Sequence, residues 1–233
     1  VQLKHGEDGP FEAKLRKLHG EKLKLGDEES ATEAAKLLKS ADYVIDNIKK
    51  RATSSKASAP FITSSMQQAA NNELRFTTST TMRIAQQLYE GLEIGEETTG
   101  LITYMRTDST RVAESALESV REYIDGEYGE KYLPDNPNTF KSPRGAQAAH
   151  EAIRPTDVKR TPEKMKAHLD DRQWKLYDLI WRRFVASQMS PARYNVTSVH
   201  ITAGHGEFYA RGRVMTFDGY TRMTGTNTSG DQL

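Results

Sequence analysis

The 233-residue sequence contains no cysteine, so disulfides and thiolate zinc sites are excluded. That absence fits the cytoplasm. No apolar run approaches the roughly 18 residues of a membrane span, and charges beginning at Lys4 leave no signal-peptide pattern. The formal net charge is only +1, which excludes a globally cationic coat. Any grip on nucleic acid must then come from local clusters such as Lys49-Lys50-Arg51 with Lys56. No two aspartates are separated by a single residue, and no tight acidic cluster is built to hold Mg²⁺. The runs Asp27-Glu28-Glu29 and Asp170-Asp171 sit at expected helix starts, where carboxylates belong for local reasons.

What is present is a β-rich start, a helical middle and a β-rich end. Glycines at 6, 9, 20 and 26 space short strands over residues 1–28. The Ser30/Glu33 capping-box spacing predicts a short helix through Leu38, and Tyr43 to Ile48 reads as a strand. A Ser/Ala-rich segment ending at Pro60 marks a boundary. Ser64 with Gln67, or Ser65 with Gln68, caps a helix to about Leu74. A second helix from about Ser79 carries Met82, Ala85, Leu88 and Tyr89 on one face, a pair compatible with a helix-turn-helix. Gly91–Thr99 reads as an acidic loop. A helix is predicted over 110–124, capped by Ser109 or Thr110 with Asp108 at its positive end. Lys131–Gly145 reads as a loop, and Ala146–Ile153 as a short helical segment. Thr161-Pro162 opens another helix, and Asp171–Gln188 is amphipathic with Trp174, Tyr177, Trp181, Phe184 and Val185 facing the core. Alternation from Tyr194 onward gives two or three antiparallel strands. Opening at Val1 in mid-element and closing on a turn at Thr228–Asp231, the chain is expected to be a piece of a longer protein.

The chemistry concentrates in Gly100-Leu101-Ile102-Thr103-Tyr104-Met105-Arg106-Thr107-Asp108-Ser109-Thr110. A phenol attacks at neutral pH only if its proton is removed or its phenolate stabilised, since its pKa lies near ~10. In extended backbone, residues two apart share a side, so the Arg106 guanidinium can reach the phosphate that Tyr104 attacks and grip it as a fork. Asp108 is next on that side. The same residues also suit an edge strand with a half-buried tyrosine and solvated charges. His150 and Arg154 lie in a second constellation, His150-Glu151-Ala152-Ile153-Arg154-Pro155. A histidine there donates to a phosphate or shuttles a proton, or simply holds the fold together. No second histidine follows at the zinc-protease spacing.

The Gly100–Thr110 run resembles the active-site signature of type IA DNA topoisomerases. Met105, where topoisomerase III enzymes usually carry proline, favours the bacterial topoisomerase I branch. Ser54-Ser55-Lys56, the run from Pro60 to Ala70 and the run from Ala149 to Val158 resemble that family in the same order. The resemblance implies that Tyr104 is the nucleophile, forming a 5′-phosphotyrosyl link, and that Arg106 stabilises the transition state. It implies contacts to DNA from His150, with Thr103, Asp108, Lys56 and Arg154 as further DNA-facing candidates. The implied activity is ATP-independent cleavage, passage and rejoining of single strands, which relaxes negative supercoils.

The implied fold is α+β, with a discontinuous β-rich arch domain over 1–63 and 190–233. A helical domain over 64–189, resembling a winged helix-turn-helix, is inserted into it. Mg²⁺ and a catalytic glutamate belong in this family to a separate toprim domain that nothing in the sequence matches. No cofactor is therefore expected on this chain, and the fragment alone is expected to be inactive. The expected partners are single-stranded or negatively supercoiled DNA and the parent's toprim domain, with no membrane, in a bacterial, nucleoid-associated cytoplasmic setting. Two other readings stand beside it. One is a non-catalytic single-stranded-DNA-binding module in which Tyr104 stacks on a base. The other, a tyrosine recombinase, would need dispersed arginines and histidines that this context does not offer.

Overall fold

A computed structural model describes residues 1–4, 9–95, 97–141 and 150–225. The expected turn at 228–231, the 146–149 part of the expected helix and the end of the 131–145 loop lie outside them. In chain order the first elements are β1 (Gln2–Leu3), β2 (Phe11–Glu12), β3 (Lys14–Leu18), β4 (Glu21–Lys22), α1 (Glu28–Lys39) and β5 (Tyr43–Ser55). Then come α2 (Thr63–Leu74), α3 (Thr78–Glu90), β6 (Leu92–Ile94), β7 (Glu97–Thr99) and α4 (Glu114–Tyr128), followed by a single 3₁₀ turn at Glu130–Tyr132. The chain continues through α5 (Pro162–Met165), α6 (Asp171–Ser187), β8 (Ala192–Ala203), β9 (Gly206–Phe217) and α7 (Thr221–Thr224). None of these helices is long and apolar enough to cross a membrane.

Contacts divide the chain into two compact units. One holds Val1–Ser54 and Arg193–Phe217; the other holds Ser55–Ala192 and the described residues from Asp218 on. The β-rich unit is a five-stranded sheet in the order β4-β3-β9-β8-β5, with β1 and β2 paired separately. The β8–β9 hairpin is its spine, antiparallel from Arg193↔Phe217 to Ala203↔Gly206. Val199, Ile201, Ala203, Phe208 and Ala210 project from it into a core closed by Ala13 and by Leu38 of α1. Gly206 packs closely there: an added Cβ would sit 2.7 Å from a terminal methyl of Leu38, which would have to shift. α1 starts three residues earlier than the Ser30/Glu33 pattern suggests. Asp27 is its N-cap and accepts the Ser30 N–H at 2.8 Å, and that hydrogen bond holds the Asp27 carboxyl below its ordinary pKa. The strand expected at Tyr43–Ile48 runs on to Ser55, through the basic cluster.

The helical unit is built around α6. Leu176, Tyr177, Ile180 and Phe184 are fully or almost fully buried, as are Met66 of α2, Leu88 of α3 and Ile124 of α4. Each such side chain contributes roughly 1.5–3 kcal/mol on leaving water. Both tryptophans are structural: Trp181 Nε1 donates to the Val158 carbonyl at 2.9 Å, and Trp174 Nε1 to that of Pro162 at 2.8 Å. α2 ends with Arg75 in the left-handed region at φ 60°. Its N–H bonds the Asn71 carbonyl, the 5→1 bond of an αL cap, and the Phe76 N–H bonds the Ala70 carbonyl, turning the chain tightly into α3.

Several local expectations are corrected. The buried face of α3 is Thr81, Ile84, Ala85 and Leu88, while Tyr89 turns outward. Gly91–Thr99 is no plain loop, because β6 and β7 pair there as an antiparallel hairpin. α4 begins at Glu114 with Ala113 as N-cap and no side-chain cap, so neither Ser109 nor Thr110 caps it and Asp108 does not lie at its end. Ser109 and Thr107 instead make short-range turns, Thr107 Oγ1 accepting the Ser109 N–H and Ser109 Oγ that of Arg111. His150–Ile153 is extended, with Ile153 bridging to Phe61.

Candidate active site

The Gly100–Thr110 segment is held from both sides within the helical unit. Before the tyrosine, Leu101 N–H donates to the Leu88 carbonyl at 2.7 Å and Ile102 bridges to Pro155. Thr103 N–H donates to the Arg154 carbonyl at 2.9 Å, and its hydroxyl to that of Ala152 at 2.7 Å. After the tyrosine, the N-terminus of α2 takes over. Thr63 N–H donates to the Thr107 carbonyl at 2.9 Å, and Thr63 Oγ1 accepts the Thr107 N–H at 2.8 Å. The same hydroxyl lies 2.8 Å from the Met105 carbonyl, to which it donates.

Gly100 permits the close approach of α3 to this segment, since a Cβ there would stand 2.6 Å from the Tyr89 carbonyl oxygen. Gly100→Ala is therefore expected to destabilise the chain by about 1–3 kcal/mol. A urea unfolding midpoint unchanged from the parent would contradict that close contact.

Between these anchors the backbone bends at Met105 and Arg106 rather than running as a strand, yet exposure alternates. Tyr104, Arg106 and Asp108 are exposed, while Met105, Thr107 and Ser109 are buried. Tyr104 keeps 42% of its surface exposed. Its ring meets two others edge-on, Tyr89 at 5.3 Å and His150 at 6.1 Å between centroids. Two cavities flank it, sharing Thr107 and His150. One, of about 530 Å³, is polar and is lined by Ser64, Gln67, Met82, Arg106, Asp108 and His150 among others. The other, of about 400 Å³, has mainly apolar walls and includes Tyr89, Gly100, Ile102, Thr103 and Tyr104.

Of the residues singled out in the sequence, Tyr104, Thr103, Arg106, Asp108 and His150 thus come together. Lys56 does not join them; it is exposed and lines a separate cavity with Asp135–Phe140, Met189 and Pro191. Arg154 is turned to the fold. Its Nε and Nη2 donate to Glu151 Oε2 at 3.0 and 2.8 Å, and Nη1 donates to the Pro155 carbonyl. This pair braces the 150–155 segment against which Thr103 is hydrogen-bonded, and Arg154 does not line either cavity beside Tyr104. Tyr89 is the site residue that sequence reasoning missed, because helical periodicity assigned it to the core face. Among the described residues no group of three or more histidines or carboxylates converges as a metal site. The nearby carboxylates are Asp108 and Glu151, and Glu151 is tied to Arg154, so these residues do not fit a bound Mg²⁺.

Comparison with known proteins bears on the whole chain: a family profile described as DNA topoisomerase matches residues 1–233. The chain belongs to the DNA topoisomerase family. This topoisomerase chain is 50% identical over 204 residues to DNA topoisomerase 1 of Pseudomonas aeruginosa, covering 88% of the chain and 22% of that protein. Against DNA topoisomerase 1 of Escherichia coli, identity is 42% over 232 residues, covering 100% of the chain and 24% of that protein. Full-length topoisomerase I from Thermotoga maritima matches in structure with a TM-score of 0.80 at 37% identity, over 96% of this chain and 35% of that one. The topoisomerase chain spans about a quarter of the length of the first two relatives. The α+β class expected from the sequence holds, with an antiparallel sheet and a helical unit.

Proposed function

We propose that this chain is the nucleophile-bearing part of a type IA DNA topoisomerase, with Tyr104 as the residue that becomes joined to DNA. The observation that carries the reading is the setting of Tyr104: an exposed phenol on a doubly anchored segment, beside a polar cavity lined by Arg106 and His150. In the reaction, Tyr104 Oη attacks a backbone phosphorus. The new P–O bond forms to the 5′-phosphate, the P–O3′ bond breaks, and the phenol proton is lost while the departing 3′-oxygen gains one. Charge grows on the phosphoryl oxygens as this happens, and the Arg106 guanidinium is suited to bind them as a fork. His150 has ring nitrogens able to donate to a neighbouring phosphate. Resealing is the reverse exchange of one phosphodiester for another, so no ATP is consumed. A second strand passes through the gap before resealing, and negatively supercoiled or single-stranded DNA is the substrate.

The same proposal assigns Mg²⁺ and a catalytic glutamate to a toprim domain elsewhere in the parent chain, in a bacterial, nucleoid-associated cytoplasmic setting. The tight α2–α3 pair followed by the β6–β7 hairpin supports a winged helix-turn-helix reading of the helical unit, and the β-rich unit would serve as the arch that carries it.

The test uses end-labelled single-stranded DNA, Mg²⁺ and denaturing gels. The full-length parent is expected to give a denaturation-resistant adduct, and peptide mass mapping should find it on Tyr104. The isolated 233-residue chain is expected to give none. An adduct mapped to another residue would sink the proposal, and an adduct on the isolated chain would show that the active site is complete without the rest of the parent.

A further inference from the structure

Beside the nucleophile lies a cavity with a different character from the one that Arg106 lines. Its walls are mostly apolar, formed by Tyr89, Gly100, Ile102 and the Tyr104 ring, with His150 at the border shared with the polar cavity. Tyr89 is an aromatic residue that the cleavage chemistry does not use. It is 40% exposed although it closes α3 next to the buried Leu88. Its backbone is fixed, with Leu88 accepting the Leu101 N–H and the Tyr89 carbonyl packed against Gly100. The Tyr89 and Tyr104 rings meet at 63°, unstacked, so neither is laid flat over the other.

A nucleotide joined to Tyr104 through its 5′-phosphate must set its base against a wall next to the phenol. The phosphodiester run is drawn to the cationic side, where Arg106 lies and a base would displace polar contacts. The opposite side offers an aromatic ring and apolar walls, which favour a base face over a charged backbone. We infer that the cavity lined by Tyr89 receives the base of the nucleotide immediately 3′ to the cut, the one that becomes tyrosine-linked, and that Tyr89 is its stacking platform. Stacking tolerates any base, so this contact would fix the position of the scissile phosphate without dictating sequence. The inference rests on Tyr104 being the nucleophile of the parent enzyme.

The experiment measures covalent adduct in the full-length parent on two oligonucleotides, identical except that one lacks the base 3′ to a mapped cut site. Wild-type enzyme is expected to lose about tenfold in adduct rate on the abasic strand, within the range of one base–aromatic contact. Tyr89→Ala should lose about as much on the intact strand and little more on the abasic one. Tyr89→Phe should restore both the rate and the sensitivity to the base, because the ring and not the hydroxyl does the stacking. Wild-type enzyme indifferent to the missing base would overturn the inference, and that arm needs no protein variant to fold. So would a Tyr89→Ala enzyme that still loses a further tenfold on abasic DNA. Adduct persisting in Tyr104→Phe would instead remove the reading of Tyr104 on which the inference stands.

Discussion

Replacing Tyr104 by Phe in the full-length parent should abolish covalent capture of DNA and relaxation of supercoils, a fall of about four or more orders of magnitude. The substitution removes one oxygen and leaves the ring. Since Tyr104 is 42% exposed and meets Tyr89 and His150 only by ring edges, the fold has no reason to change. DNA affinity should survive and should decline with salt, as expected if phosphate contacts elsewhere supply it. The split between lost capture and kept binding separates a nucleophile from a stacking residue in a passive binding module. If Tyr104 only stacked on a base, Phe would serve as well and capture, assigned to some other residue, would be unchanged.

Arg106→Ala should lower the cleavage rate about 10²–10³-fold, the range seen when a single preorganised group that stabilises developing charge is removed. Arg106 is exposed, and no ion pair to a carboxylate is seen for it among the described residues, so truncation leaves no buried charge behind and stability should hold. Binding should weaken evenly across sequences, with the salt slope reduced by about one phosphate contact. Arg106→Lys should recover part of the rate only, since an ammonium is a point charge without the fork. A variant lacking the guanidinium that cleaves at the wild-type rate would remove Arg106 from the chemistry.

The parts of this architecture that could be read in the sequence are those set by short-range rules. The β8–β9 hairpin follows from alternation around Gly204, and α6 from its stripe of large apolar residues. The alternation that leaves Tyr104, Arg106 and Asp108 exposed and Met105 and Thr107 buried follows residue parity, which persisted even though the backbone bends there and forms no strand. What was not legible depended on partners far away in sequence. The segment after Tyr104 stays irregular up to Glu114 because Thr63 captures the polar backbone groups of Met105 and Thr107, 42 and 44 residues distant. No local pattern announces that capture. The resemblance alone puts Arg154 among the DNA-facing candidates, and no local pattern announces that its guanidinium pairs with the carboxylate of Glu151, three residues earlier. Tyr89 was misassigned because one extra residue of helix rotation decides between the core and the cavity wall, and periodicity alone does not resolve 100°.

The double anchoring of the Tyr104 segment has a mechanical side. If Tyr104 holds the severed strand as proposed, any pull on that strand acts through one side chain. A long, loose loop would stretch under that load and let the end wander. Here the residue before the tyrosine is bonded to the backbone at Ala152 and Arg154, and the residues after it to Thr63 at the head of a 12-residue helix. Tension therefore passes within one or two residues into regular structure, and the helical unit can act as a stiff handle on the severed end.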